Sequence, residues 1–166
     1  MTRWHLPLPD PAATEQLGVW LAATAEPGDV LLMSGDLGAG KTTLARGLAR
    51  GLGITEAVTS PTFALHHSYR GRLTLEHLDL YRLTPGEIEA AGLPEVWEGG
   101  RGVVAIEWPE RLRDETLDLR PRSALALALA PDDGEGRLAL LEAPPETRAA
   151  AWLAAVGARA GAPREA

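Results

Sequence analysis

The stretch Gly35-Asp36-Leu37-Gly38-Ala39-Gly40-Lys41-Thr42 decides the fold of this 166-residue chain. It satisfies the pattern G-x-x-x-x-G-K-[ST], in which glycines let backbone N–H groups turn inward around anionic oxygens. The apolar run Val30–Met33 before it predicts a buried strand, and Thr42–Leu52 after it predicts an amphipathic helix. This strand–loop–helix order predicts an α/β domain that binds phosphate where the strand ends.

The loop also carries two side chains with a chemical role in phosphate binding. Lys41 is placed to reach the β- and γ-phosphates of a nucleotide, and the Thr42 hydroxyl is a ligand for Mg²⁺. The alternative is a glycine turn that matches by chance, and the strand-to-helix context disfavours it. We therefore predict a P-loop NTPase domain with a nucleoside triphosphate and Mg²⁺ as cofactors.

The composition narrows the choice of nucleotide. Of 16 basic residues 15 are arginine, so Lys41 is the only lysine, and the chain contains no asparagine. GTPases of the Ras type bind guanine with an Asn-Lys-x-Asp loop, which this chain cannot form. ATP is therefore the predicted cofactor.

Charge and hydropathy exclude other classes of protein. The chain has no cysteine, so disulfide frameworks and thiolate zinc sites are excluded. A formal net charge of -7 argues against a protein that coats DNA or RNA by charge alone. With neither a secretory stretch at the N-terminus nor a long apolar run, we expect a soluble, cytoplasmic protein without a membrane span.

Alternating strand and helix patterns predict one domain over residues 1–160, with a frayed tail over 161–166. We expect a central, mostly parallel sheet with antiparallel hairpins, flanked by helices. The predicted elements, in chain order, are a strand at Trp4–Leu8, a helix at Ala12–Ala25 after the Asp10-Pro11 cap, the strand and helix around the loop, a hairpin of Phe63–Tyr69 and Leu73–Leu80, a helix after Thr84, a strand at Val103–Ile106, a hairpin of Ser123–Ala130 and Arg137–Leu141, and a helix from Glu146.

Two acidic residues are candidates for the chemistry next to the phosphates. Glu107 follows four apolar residues, the Walker B pattern, and would hold Mg²⁺ directly or through water; an ordinary strand-end carboxylate is the alternative. Asp79 ends an alternating stretch that predicts a half-exposed strand. We place it near the γ-phosphate, orienting water, with a turn or helix cap before Thr84 as the alternative.

Weaker candidates surround these two. Thr62, in Ser60-Pro61-Thr62-Phe63, lies where a switch loop contacts the γ-phosphate in many P-loop proteins, although a plain turn is equally compatible. Arg82 would stabilise transition-state charge or pair with Glu76 or Glu87 at the surface. Trp97 and Trp108 are expected in the core or at a partner contact.

Taken in order, the motifs resemble the TsaE family, P-loop ATPases of bacterial tRNA threonylcarbamoyladenosine synthesis. The resemblance spans about Leu6 to Leu112, and nothing specific matches beyond about Arg113. The blocks that carry it are Gly35-Asp36-Leu37-Gly38-Ala39-Gly40-Lys41-Thr42-Thr43, Ser60-Pro61-Thr62-Phe63, His77-Leu78-Asp79-Leu80-Tyr81-Arg82-Leu83 and Glu107-Trp108-Pro109-Glu110.

The resemblance implies Mg-ATP binding, with Thr42 and Glu107 as metal ligands, Asp79 required for hydrolysis, and an adenine site that includes Asp10 and Pro11. It also implies partnership with the TsaB–TsaD complex, whose turnover the ATPase supports, and contact with tRNA only through that complex. Two other hypotheses stay open. One is a P-loop kinase of small molecules, and the other is a nucleotide-dependent scaffold without catalysis.

Overall fold

The computed structural model describes residues 1–61, 64–161 and 164–165. The described strands are β1 Thr2–Leu8, β2 Val30–Ser34, β3 His66–Tyr69, β4 Leu75–Asp79, β5 Val103–Glu107, β6 Leu125–Pro131, β7 Arg137–Ala143 and β8 Arg164–Glu165. The described helices are α1 Pro11–Thr24, α2 Lys41–Gly51, α3 Pro85–Ala90, α4 Pro94–Glu98 and α5 Arg148–Ala160, with a 3₁₀ turn at Pro109–Leu112.

The described strands form one mixed sheet in the order β3-β4-β5-β2-β6-β7-β1-β8. The four central strands, β4, β5, β2 and β6, run parallel, and the pairs towards both edges are antiparallel. The predicted α/β class, with a parallel centre and antiparallel hairpins, is therefore confirmed. The carboxyl ends of the parallel strands β4, β5 and β2 lie at the same end of the sheet, so residues from three distant segments converge there.

Helices cover the two faces of the sheet unequally. Helices α1, α2 and α5 enclose the larger apolar core, to which Leu44, Leu48 and Trp152 contribute fully buried side chains. The short helices α3 and α4 and the 3₁₀ turn enclose a smaller core around Val104 and Ile106. Parallel strands covered on both faces are apolar on both, which explains the unbroken run Val103–Ile106.

Close packing of α1 against α2 fixes the helix that follows the glycine-rich loop of residues 35–40, the predicted phosphate loop. A Cβ added at Gly47 of α2 would lie 2.0 Å from the Glu15 carbonyl oxygen of α1, and one at Gly18 would lie 2.4 Å from the Leu44 carbonyl oxygen. Only glycine permits this approach at both positions. The start of α2 is therefore held rigidly beside α1.

Most predicted elements are present, with ends that differ by at most three residues. Asp10 caps α1 by accepting a hydrogen bond from the Ala13 N–H at 2.7 Å, and Thr84 forms the predicted capping box with Glu87. Helix α4 has no counterpart among the predictions. Phe63, the predicted start of the first hairpin, lies outside the described residues.

The expectation that the strand before Asp79 is half-exposed was wrong. Strand β4 lies between β3 and β5, and both of its faces are covered: His77 and Asp79 are buried on one face and Leu78 is buried on the other. The polar alternation of this strand does not mark a solvent face. It marks polar side chains placed inside the protein.

An ion pair between the partly exposed Arg148 and the buried Asp29 ties α5 to the residue before β2. The Arg148 guanidinium donates to both Asp29 carboxylate oxygens, at 3.0 and 2.8 Å, and to the Thr24 carbonyl at 3.1 Å. The Glu26 N–H donates to the same carboxylate at 2.8 Å.

No helix in the described part of the chain combines the length and the apolarity needed to cross a bilayer.

Candidate nucleotide-phosphate site

A cleft of about 420 Å³ lies at the carboxyl ends of β2, β4 and β5. This volume is in the range of small-ligand sites. Four separate segments of sequence contribute to its wall: the phosphate loop with the first residues of α2, Ser60 between α2 and β3, the end of β4 with the turn after it, and the end of β5 with Trp108. The lining residues are Asp36, Leu37, Gly38, Ala39, Gly40, Lys41, Thr42, Thr43, Ser60, Asp79, Tyr81, Arg82, Glu107 and Trp108.

The loop has a backbone that only glycine adopts without strain. Gly38 has φ 78° and Gly40 has φ 109°, both in the left-handed region. Successive turns of this kind direct neighbouring N–H groups into one concavity. Gly40 occupies the N-cap of α2 and offers no side-chain cap, so the first amides of α2 remain available to a ligand. The positive end of the helix dipole lies at the same point.

Lys41 is buried at the first position of α2 with 6% of its surface exposed. Its Nζ donates to the carbonyl oxygen of Gly35 and to that of Asp36, the latter at 3.1 Å. The only lysine of the chain is thus folded back over the loop that precedes it. A compact ammonium group suits this position, where backbone carbonyls surround it.

Trp108 covers the lysine from the opposite wall of the cleft. Lys41 Nζ lies 4.2 Å from the centre of the Trp108 ring, a cation–π contact, and the ring also contacts Tyr81 with centroids 4.8 Å apart. Trp108 has φ 61°, unusual for a bulky residue. This turn after β5 places the ring beside the loop, a position that sequence reasoning missed, whereas Trp97 is in the core as expected.

The two candidate carboxylates lie side by side. In the parallel pairing of β4 with β5, Asp79 stands opposite Glu107, with exposed fractions of 5% and 3%. The Asp79 Oδ1 accepts a hydrogen bond from the Tyr81 N–H at 3.0 Å. The turn cap considered as an alternative is therefore present, but in the wall of the cleft. Two neighbouring buried carboxylates repel each other, which favours a cation between them.

The available ligands fit Mg²⁺ in a particular way. Among the described residues no group of three or more histidines, cysteines, aspartates and glutamates could hold a metal ion alone. Mg²⁺ usually takes one or two protein oxygens and completes its shell with water and substrate phosphates. Thr42 and Glu107, which line the same cleft, could supply that number.

His77 is a further polar residue near the carboxyl ends of β4 and β5, and sequence reasoning did not assign it a role. It is fully buried, and its Nε2 lies 2.9 Å from Glu107 Oε1. The signal was present in the alternation of β4, because Leu75, His77 and Asp79 are two residues apart and share one face.

Arg137 holds the phosphate loop from outside the cleft. Its guanidinium donates to the carbonyl oxygens of Ala39, at 3.2 Å, and Gly38, at 3.4 Å. In a trans peptide the carbonyl and the next N–H point in opposite directions, so this contact directs the Gly40 N–H away from β7. No motif in the sequence indicated this role.

The remaining predicted residues are placed as follows. Gly35 lies at the start of the loop, and Thr43 lines the cleft with Thr42. Asp10 and Pro11 begin α1 and are not part of the described lining of the cleft, although Thr14 of α1 lies beside Gly40. Thr62 lies outside the described residues. The adenine site therefore stays a prediction, as does the switch contact.

A family model described as "Threonylcarbamoyl adenosine biosynthesis protein TsaE" matches residues 8–138. The match extends through β6 to the start of β7, well past Leu112, where the resemblance found in the sequence motifs ended.

Curated relatives and a solved structure agree with this match. The chain is 52% identical over 109 residues to the tRNA threonylcarbamoyladenosine biosynthesis protein TsaE of a Nostoc species, covering 63% of this chain and 67% of the relative. It is 40% identical to that of Streptomyces coelicolor, over 74% and 84% of the two chains. The crystal structure of Bacillus subtilis YdiB superposes with a TM-score of 0.81 at 32% identity, covering 97% of this chain and 99% of YdiB.

Proposed function

The chain belongs to the TsaE family, whose role is in tRNA threonylcarbamoyladenosine biosynthesis, and we propose that within this role it acts as a Mg²⁺-dependent ATPase. The observation that carries the proposal is the meeting of three features in one cleft. These are a glycine-built concavity of amides, a buried lysine, and two adjacent buried carboxylates.

The phosphate loop supplies the binding energy for the phosphates. Its inward amides and the first turn of α2 contact anionic oxygens, and Lys41 exchanges its carbonyl partners on Gly35 and Asp36 for phosphate oxygens. Arginine at 41 would fit poorly among these carbonyls.

Thr42 and Glu107 would hold Mg²⁺, which neutralises phosphate charge and orients the phosphate groups when bound. Asp79 stands next to Glu107 and orients the attacking water. Arg82 lines the same cleft and would stabilise charge that develops on the phosphate.

The base is adenine in this proposal, because the chain has no asparagine for a guanine-binding loop. The Asp10-Pro11 turn is the proposed edge of the adenine site. Its connection to the cleft runs through α1, whose Thr14 lies beside Gly40.

The proposed partner is the TsaB–TsaD complex, whose repeated turnover the ATPase supports, with tRNA contacted only through that complex. Membership of the family supports this, as does a net charge of -7, which disfavours direct binding of a polyanion. The exposed Leu37 and Tyr81 lie on the rim of the cleft, where a partner would sense the bound nucleotide.

The test combines hydrolysis with capture of partners. Purified protein is assayed for release of inorganic phosphate from ATP, alone and with TsaB–TsaD, and the complex is pulled down with and without ATP. We expect slow hydrolysis alone, a changed rate with partners, and ATP-dependent capture that Lys41→Ala abolishes. Transfer of phosphate to a small molecule would instead indicate a kinase, and capture with no hydrolysis would indicate a scaffold.

A further inference from the structure

We propose that His77 is a positioning residue for the proposed metal ligand Glu107, fixing one carboxylate oxygen so that the other serves the cation. This inference rests on the proposed function, because it assigns the support of a residue in that site. It goes beyond the proposed function, which assigns His77 no role.

The first support is the burial of the pair. His77 has none of its surface exposed and Glu107 has 3%, and His77 Nε2 lies 2.9 Å from Glu107 Oε1. A carboxylate offers only acceptors, so the contact requires the hydrogen on Nε2. Away from water this bond has no competitor, and it holds the carboxylate in one orientation.

The second support is the other nitrogen of the ring. Among the described residues, His77 Nδ1 has no hydrogen-bond partner, although it is fully buried. With the hydrogen on Nε2, this nitrogen carries a lone pair instead of an N–H. An unpaired acceptor is less rare in protein interiors than an unpaired donor, so the geometry selects one tautomer. The ring is therefore a donor to Glu107 and to nothing else that the structure describes.

The third support is the position of the pair on the strands. His77 stands opposite Ala105 in the pairing of β4 with β5. This pair lies two residues before the opposed Asp79 and Glu107, on the same face of the sheet. The ring thus fills the layer directly beneath the two carboxylates. A small residue at 105 leaves room for it. Histidine in this layer supports Glu107 from below, and the open side of the carboxylate faces the cleft.

The neighbouring strand pair provides a matched control. His66 Nε2 lies 2.5 Å from Glu76 Oε2 across β3 and β4, but both side chains are partly exposed, at 32% and 20%, and they do not line the phosphate cleft. Within the described residues, a histidine–carboxylate contact therefore occurs both at a proposed metal ligand and away from the cleft.

The experiment compares His77→Gln with His77→Asn. Glutamine places an amide donor near the position of Nε2, whereas asparagine is too short to reach Glu107. For each variant the dissociation constant of ATP is measured in EDTA and in excess Mg²⁺, and the Mg²⁺ concentration for half-maximal hydrolysis is determined. The control is His66→Asn, and thermal unfolding of every variant checks the fold.

In excess Mg²⁺, we expect His77→Asn to bind ATP about tenfold more weakly than the wild type. In EDTA, its affinity for ATP should equal that of the wild type. His77→Gln should stay within about twofold of the wild type in Mg²⁺, and His66→Asn should match the wild type. The inference would be overturned if the Gln and Asn variants lost the same amount of ATP affinity in Mg²⁺. It would also be overturned if affinity in EDTA fell as much as affinity in Mg²⁺, because either result would show a packing role. A wild type that binds no ATP would overturn the proposed function itself.

Discussion

Buried carboxylates lie at both ends of the central strands, but the residues around them differ. At the amino end of β2, Asp29 is 3% exposed and receives two hydrogen bonds from Arg148 and one from the Glu26 N–H. At the carboxyl ends of β4 and β5, Asp79 and Glu107 are equally buried, yet they border an open cleft. Burial of a charge alone therefore does not identify a site.

The partners make the difference. Arginine's fork compensates Asp29 within the protein, which leaves no task but stability. The cleft carboxylates stand beside each other in a cleft that the glycine-rich loop and Lys41 also line. The comparison teaches that buried charge at the border of a cleft lined by phosphate-binding groups indicates function, whereas buried charge enclosed by an arginine and a backbone amide indicates architecture.

The largest expected effect is at the cleft end. Asp79→Asn keeps the size of the side chain and removes the charge that orients water, so ATP hydrolysis should fall roughly 100- to 1000-fold while ATP binding stays within about threefold. Phosphate release and calorimetric titration measure the two quantities. Asp132→Asn, on the exposed tip of the β6–β7 hairpin, is the control. Unchanged hydrolysis would remove Asp79 from the mechanism.

The second effect concerns Lys41. Lys41→Ala should weaken ATP binding about 100-fold, because the buried ammonium is the principal charge facing the phosphates. Lys41→Arg should restore little of this, since the planar guanidinium does not fit among the Gly35 and Asp36 carbonyls. Arg50→Ala, which removes an exposed positive charge at the far end of α2, is the control. Full binding by Lys41→Arg would contradict the fit.

The third effect is at the opposite end and on stability. Arg148→Leu leaves Asp29 buried without its countercharge and should lower the free energy of unfolding by about 2 kcal/mol in urea titrations. Affinity for ATP should not change. The control Arg120→Leu breaks an exposed pair with Asp118 and should have no measurable effect on stability. Loss of ATP affinity in Arg148→Leu would contradict the assignment of the Asp29–Arg148 pair to stability alone.

The fourth effect is smaller and sharpens the description of the loop. Arg137→Gln removes most of the donors that hold the Gly38 and Ala39 carbonyls, so affinity for ATP should fall about fivefold. Fold stability should change little. Arg122→Gln, an exposed arginine on another part of the surface, is the comparison variant. An unaltered affinity would mean that the loop keeps its shape without β7.

The smallest effect is a pH dependence at Asp29. Burial raises the pKa of this carboxyl above 3.8, even though the Glu26 N–H and Arg148 lower it. The folded state then holds the proton more tightly than the unfolded state, so the contribution of Asp29 to stability falls as pH rises from 3.8 through the raised pKa. Unfolding of wild type and Asp29→Asn across this interval measures the difference, which should shrink towards higher pH. A difference that grows would reverse the sign.

The sequence predicted most of the fold because its local signals were strong. The Asp10 cap, the Thr84 capping box and the glycine-rich loop each depend on residues within a few positions of one another. The burial of β4 was mispredicted because it depends on pairing with β5 and on packing of other elements over the sheet, which local sequence does not encode. Helix α4 was missed since it is a single turn of five residues.

For the candidate site, the sequence by itself determined the residue types that meet phosphate: loop glycines, one lysine, a threonine and strand-end acids at fixed spacings. Only the tertiary structure placed Trp108 over Lys41, His77 beneath Glu107 and Arg137 behind the loop. These contacts join residues 30 to 99 positions apart or depend on a left-handed turn. The physical reason is that a motif encodes local backbone geometry, whereas pairing of strands and packing of helices decide which distant side chains share a cleft.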